Sequence, residues 1–327
     1  MRIAVTGSIA TDHLMLFPGR FTEQLLPEHL DKVSLSFLVD QLDIHRGGVA
    51  ANIAYGLGGL GLTPVLVGAV GADFAEYRAW LEGHGVDTAS VRVSTSRHTA
   101  RFLCTTDADQ NQIASFYPGA MSEAREIELG PVADRVGGLD LVLVSPNDPE
   151  AMLRHTEESR RRGYRFAADP SQQLATLTGE QVRHLVDGAH YLFTNDYESG
   201  LLLRASGWTR EEVLTRVGSW VTTLGEDGVR VETATGSITV PAVPTDTVVD
   251  PTGVGDGFRA GFLAGLGRGL DVERAAMVGA TLATTVLEAP GPQEYKVDLT
   301  AFVDRLVSAY GQEAGAAVSA RLAAATP

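Results

Sequence analysis

Apolar residues along this chain fall into two kinds of run. The first kind is short and nearly continuous: Ile3-Ala4-Val5, Pro64-Val65-Leu66-Val67, Leu139-Asp140-Leu141-Val142-Leu143-Val144, Tyr164-Arg165-Phe166-Ala167-Ala168, Tyr191-Leu192-Phe193-Thr194 and Trp220-Val221-Thr222-Thr223. Runs this short, closed by polar or turn-forming residues, predict buried strands. Helical patterns separate several of them, from about Pro149 to Arg162, near residues 179–185 and from about Arg210. A β-rich piece extends to about Val243, and from Asp298 a helix carries Phe302, Leu306 and Tyr310 on one side. Alternating βα units imply a mostly parallel, doubly wound α/β sheet.

The second kind alternates apolar with polar. Val33-Ser34-Leu35-Ser36-Phe37-Leu38-Val39 reads as a half-exposed strand. Ala100-Arg101-Phe102-Leu103-Cys104-Thr105 and Gln112-Ile113-Ala114-Ser115-Phe116-Tyr117 flank a polar turn, which predicts a hairpin. Phe102 and Phe116 are equidistant from Asp109, so they should face each other across its strands. Such a pair can hold a flat base or serve as ordinary core. These segments predict a small discontinuous β lid, residues 13–45 and 98–117. The larger Rossmann-like domain then comprises residues 1–12, 46–97 and 118–327.

Glycines punctuate this pattern at three places. Gly47-Gly48 leads into a helical pattern with Asn52 one turn in, which suits close approach of backbone to a ligand. Gly56-Leu57-Gly58-Gly59-Leu60-Gly61 matches a dinucleotide fingerprint by letter only. A helix precedes it and a strand follows, the reverse of what that fingerprint needs. Asp250-Pro251-Thr252-Gly253-Val254-Gly255-Asp256 precedes an apolar helical pattern. Free amides at a helix start attract an anion, while Asp256 there can take a proton. Phosphoryl transfer to a hydroxyl wants both; a capped turn with an acidic residue is the plainer alternative. Ser8, Asp169, Asn195, Thr223 and Asp256 lie at successive strand or loop ends and should converge at one edge. Asp12, just beyond the first strand, can accept from vicinal hydroxyls or cap a loop.

Composition narrows the field. The 327 residues carry a formal charge of −15, which argues against a nucleic-acid binder. Cys104 is the only cysteine, so no intrachain disulfide is expected, and neither a signal peptide nor a spanning run is evident. The cytoplasm is the expected compartment. Lys32 and Lys296 are the only lysines; neither follows glycine or sits in a kinase-like Val-Ala-Ile-Lys. Phosphates would have to be held by amides, arginine or metal.

The motifs resemble those of a known family. Gly47-Gly48-Val49-Ala50-Ala51-Asn52-Ile53-Ala54, followed by Gly61 and Gly71, fits the first signature of the ribokinase-like (PfkB) carbohydrate kinases. Residues 250–256 resemble their second signature, Asn195-x-x-Glu198 their Asn-x-x-Glu, and Thr223-x-Gly225-x-x-Gly228 their nucleotide-binding turn. Val254 departs from the small residue usual there. Residues 4–14, 99–102, 114–124 and 167–173 are similar, more narrowly, to the actinobacterial type of adenosine kinase.

This resemblance implies transfer of the ATP γ-phosphate to the adenosine 5′-hydroxyl, giving AMP and ADP in purine salvage. It implies Asp256 as base, with the amides of Gly253, Val254 and Gly255 as anion hole. Ser8, Asp12, Gly48 and Asn52 would hold the ribose. Phe102 and Phe116 would flank the adenine, with Gln172 and Gln173 lining that side. Asn195, Thr223, Gly225 and Gly228 would face ATP, and Glu198 would orient magnesium through water. Asp250, with the Thr252 carbonyl, would help bind a monovalent cation such as potassium, and the lid would also join a homodimer. Ribose, fructose or another purine nucleoside are alternative acceptors. A catalytically silent binder on the same fold is a further alternative, which the retained Asp256, Asn195 and Glu198 count against. The helix start is expected to make Asp256 a weak base.

Overall fold

The computed structural model describes residues 1–24 and 35–323. Its main sheet has eight strands, in the spatial order Gly236–Val240, Val229–Thr233, Ser219–Thr223, Tyr191–Asn195, Phe166–Ala168, Leu141–Val144, Ile3–Thr6 and Val65–Val67. The strands from Ser219–Thr223 to Val65–Val67 run parallel, and the two at the other edge are antiparallel. Ile3–Thr6 has later strands on both sides, so chain order reverses there. Such a reversal opens a crevice at the strand's carboxyl end.

Successive residues feed opposite layers. Leu192 and Trp220 pack with Val182, Leu185 and Leu202 on one face; Phe193 and Val221 pack with Phe258, Phe262 and Leu263 on the other. Burying one such side chain contributes roughly 1.5–3 kcal/mol. The helix Val254–Gly267 lies tightly against Val272–Leu287. A Cβ at Gly261 would sit 2.6 Å from the Val278 carbonyl, and one at Gly257 would sit 2.7 Å from the Val286 side chain. Glycines in this stretch therefore serve packing as well as the loop that precedes them.

The small sheet has the order Gln41–Gly47, Ala10–Leu16, Ala100–Thr106 and Gln112–Tyr117. Its hairpin has the expected register, with Phe102 opposite Phe116. Asp107 closes the turn by accepting from the N–H groups of Phe21, Asp109 and Asn111. The expected strand at residues 33–39 is a correction. Val33 and Ser34 lie outside the described residues, and residues 35–39 have no regular structure. The edge strand is Gln41–Gly47, which is mostly polar. Alternation at 35–39 has another cause: Phe37 joins Phe17 and Phe21 at centroid distances of 5.0 and 4.9 Å, while Leu38 points outward.

Candidate active site

The carboxyl end of Ile3–Thr6 meets the helix Val49–Gly59 through Ser8. Its hydroxyl accepts from the Val49 N–H at 3.0 Å, and its carbonyl accepts from the Ala50 N–H at 3.1 Å. The diglycine makes this contact possible. A Cβ on Gly48, whose φ is +93°, would sit 2.6 Å from the Ser8 carbonyl. One on Gly47 would sit 2.7 Å from the Asp12 carboxylate. These glycines admit protein atoms, so the close approach they allow is between chain segments.

Asp12 starts a row across all four strands of the small sheet. Register aligns it with His45 on one side and Phe102 on the other, and Phe102 with Phe116. Aligned partners share a face. One face thus carries an imidazole, a carboxylate and two aromatic rings. Burial pushes the Asp12 carboxyl up to about 6, against the opposing pull of His45 and with a further push from Asp250. Phe116 is half exposed.

Asp256 lies in the first turn of Val254–Gly267, after Gly253, whose φ is +78°. Its Oδ2 accepts from Asn52 Nδ2 at 2.8 Å. The expectation of a weak base is corrected here. Burial dominates and pushes Asp256 up to about 7; Arg259 and the Asn52 hydrogen bond oppose this, while Asp169 and Glu198 add to it. A favourable helix end is worth about 0.3–1 kcal/mol in exposed settings, too little to offset loss of water. Among the described residues, no acceptor meets the N–H groups of Gly253, Gly255 or Asp256. The Val254 N–H leans on the Pro251 carbonyl at 3.3 Å. Asp250 accepts from the Thr252 N–H at 2.8 Å, which shapes the turn.

Beneath this loop lies an ion cluster. The buried Arg259 donates to Asp169 at 2.7 Å and to the Gly255 carbonyl at 3.0 Å, and stands 4.0 Å from Glu198. Glu198 and Asn195 form a reciprocal capping box, each accepting from the other's backbone N–H at 2.8 Å. That box starts the helix Asp196–Ser206, which periodicity alone missed although Asn-x-x-Glu has capping spacing. Arg259 was also missed; its signal is a charged residue inside an apolar helical pattern. Gln293, whose side chain donates to Asn52 Oδ1 at 2.9 Å, was missed and has no spacing signal.

Thr223, Gly225 and Gly228 line a cleft of about 640 Å³, together with Val243, Ala283 and Leu287. Asn195 is not among its lining residues. Gln172 is exposed, whereas Gln173 is engaged internally: it donates to the Asn147 carbonyl at 2.9 Å and accepts from Thr176 at 3.0 Å. Among the described residues, no group of three metal-ligating side chains forms a ready-made metal site.

The profile of the pfkB family of carbohydrate kinases matches residues 6–298. A nucleoside kinase of Methanocaldococcus jannaschii is 28% identical over 307 residues, which cover 93% of this chain and 96% of that protein. A nucleoside kinase of Methanothermobacter thermautotrophicus is 32% identical over 295 residues, covering 87% and 93%. The structure of Burkholderia thailandensis nucleoside kinase in complex with inosine is similar at a TM-score of 0.82 and 35% identity, covering 95% of this chain and 98% of that one.

Proposed function

Because this chain belongs to the pfkB family of carbohydrate kinases, we propose that it transfers the γ-phosphate of ATP to the 5′-hydroxyl of a purine nucleoside. Adenosine is the preferred acceptor, AMP and ADP the products, and purine salvage in the cytoplasm the setting. The observation that carries this reading is the row His45–Asp12–Phe102–Phe116 on one face of the small sheet. An acceptor of vicinal hydroxyls beside two aromatic rings suits a ribose joined to a flat base. A plain sugar offers no flat base for the rings to meet.

In this reading Ser8, Asp12, Gly48 and Asn52 hold the ribose, and residues 13–45 and 98–117 act as its lid. Asp256, at about 7, is close to half ionised at neutral pH, which suits a group that takes the hydroxyl proton late in a loose transfer. The unpartnered amides of the loop stabilise the charge on the phosphoryl group. The cleft beside Thr223, Gly225 and Gly228 takes ATP, its apolar wall meeting the base. One Glu198 oxygen is spent in the capping box; the other receives only a 3.2 Å contact from Ser171. That fits a magnesium ion bound mainly by phosphates and water, with Glu198 as an outer partner. Magnesium would neutralise phosphate charge. Asp250 and the Thr252 carbonyl are the place for a monovalent cation.

Inosine is the second reading, supported by the likeness to a nucleoside kinase in complex with inosine. Gln172 offers both a donor and an acceptor, so it can meet either purine. A coupled ADP assay with ATP and magnesium, over adenosine, inosine, guanosine, cytidine, ribose and fructose, tests both. Adenosine is expected to have the highest kcat/KM, with the free sugars at least ~10²-fold lower. A preference for inosine would replace adenosine with the second reading. Tight adenosine binding without turnover of any acceptor would make the protein a silent binder.

A further inference from the structure

A line of hydrogen bonds runs from a backbone carbonyl to Asp256, and its direction is forced at every step. The Gly47 carbonyl can only accept, so the Tyr77 hydroxyl donates to it, at 2.9 Å. This spends the hydroxyl's one proton. Tyr77 can then only accept from the Gln293 side chain, 2.5 Å away, which must present Nε2. The other Nε2 proton goes to Asn52 at 2.9 Å, which must present Oδ1. Asn52 is left with Nδ2 to turn toward Asp256, 2.8 Å from Oδ2. Asn52, Tyr77 and Gln293 are all buried, so bulk water does not offer alternative partners.

A second observation supports this reading. Gln293 Oε1 is buried without a hydrogen-bond partner. Leaving a buried acceptor unmet is costly. The amide keeps this orientation because both Nε2 protons are needed where they are. Reversing Asn52 would set its oxygen against the Asp256 carboxylate, which only a protonated Asp256 could tolerate.

We propose that Gln293 is a positioning residue: with Tyr77 it locks the Asn52 amide as a donor, which favours the carboxylate form of Asp256 and aims it at the acceptor hydroxyl. This rests on Asp256 being the base of the phosphoryl transfer proposed above. The other groups that bear on Asp256 are Arg259 on its own helix, Asp169 and Glu198 beneath the loop, and the hydroxyls of Tyr77 and Tyr295. Gln293 acts through Asn52 rather than through these charges.

Two substitutions test the relay. Gln293→Glu offers only acceptors to Asn52 and Tyr77 and so reverses the line. It should lower kcat at pH 7 by ~10-fold or more and move the acidic limb of the kcat profile upward by about one to two pH units, the worth of one hydrogen bond to a charged group. Tyr77→Phe removes the source of direction and should shift the limb the same way by less. If Gln293→Glu does not fold, Tyr77→Phe decides. Limbs that coincide with wild type in every variant that folds would reduce Gln293 to a packing residue. The carboxyl carbon of Asp256, titrated by NMR in the wild type and both variants, should show the same shifts without any turnover. A wild-type protein inactive toward every acceptor would undo the kinase reading, whereas unchanged Asp256 titration in active variants would undo the relay.

Discussion

Every residue of Leu141–Val144 and Val65–Val67 is buried, whereas every residue of Gln112–Tyr117 is exposed. The large sheet is covered on both faces and owes its stability to them. The small sheet holds together by its hydrogen-bond ladder and the Asp107 turn, and leaves apolar side chains uncovered. Exposed rings and aliphatic groups contribute little to folding, so they are free to meet a ligand or another chain. In our reading the chemistry sits where the two sheets approach, at the edge that holds Asp256.

The largest expected effect falls on that edge. Asp256→Asn should lower kcat by ~10²–10⁴-fold. It should also stabilise the fold above neutrality. A carboxyl raised from 3.8 to about 7 binds its proton more tightly folded than unfolded. The stability this gives is full below about pH 4 and is lost as pH rises through about 7. Asparagine has nothing to ionise, so Tm at pH 8 should rise by roughly 2 °C or more, with the gain shrinking toward pH 4. A lower Tm at pH 8 would show that Asp256 is held by its contacts rather than tolerated despite its burial.

Next come paired truncations, one in each sheet. Trp220→Ala should cost ~3–5 kcal/mol in denaturant unfolding, because Trp220 is wholly buried and donates to Thr194. Phe116→Ala should stay within ~0.5 kcal/mol. In kinetics, Phe102→Ala and Phe116→Ala should raise KM for the nucleoside by ~3–10-fold and leave KM for ATP unchanged. Equal effects on both substrates would make the rings packing groups and erase the contrast between the sheets.

The smallest effect on folding is expected on the other face of the small sheet. Leu42, Ile44 and Ile113 share that face and are each about half exposed. In our reading this face joins two copies of the chain. Ile44→Lys should change sedimentation from two copies to one and remove any dependence of Tm on protein concentration. An unchanged sedimentation coefficient would leave the face without that partner.

The large sheet was legible because each strand buried on both faces appears as a continuous apolar run. The small sheet was only half legible. The hairpin 100–117 announced itself through alternation about a polar turn, but Gln41–Gly47 carries its ladder on mostly polar residues. Residues 35–39 alternate without pairing as a strand, with Leu35, Phe37 and Val39 partly buried and Ser36 and Leu38 exposed. At the site, Asp256, Asn52 and Glu198 stood in motifs with spacing. Tyr77 and Gln293 are single polar residues far apart in sequence, and only the fold brings them to Asn52. The basicity of Asp256 was misjudged for the same reason. A helix start can be read locally, but burial comes from distant segments such as those carrying Tyr77 and Tyr295.

Asn195 and Glu198 begin the helix Asp196–Ser206 by capping each other, whatever else they do. Natural selection therefore inspects that pair twice, once for a chain that folds and again for any part in handling nucleotide. A lineage that gave up turnover would have reason to keep both residues. Asp256 stands differently, since burial disfavours its charged form and, in our reading, only the chemistry calls for that charge. On that reading, of the three acidic and amide residues that count for a working enzyme, only Asp256 is diagnostic, and a silent descendant would shed it first.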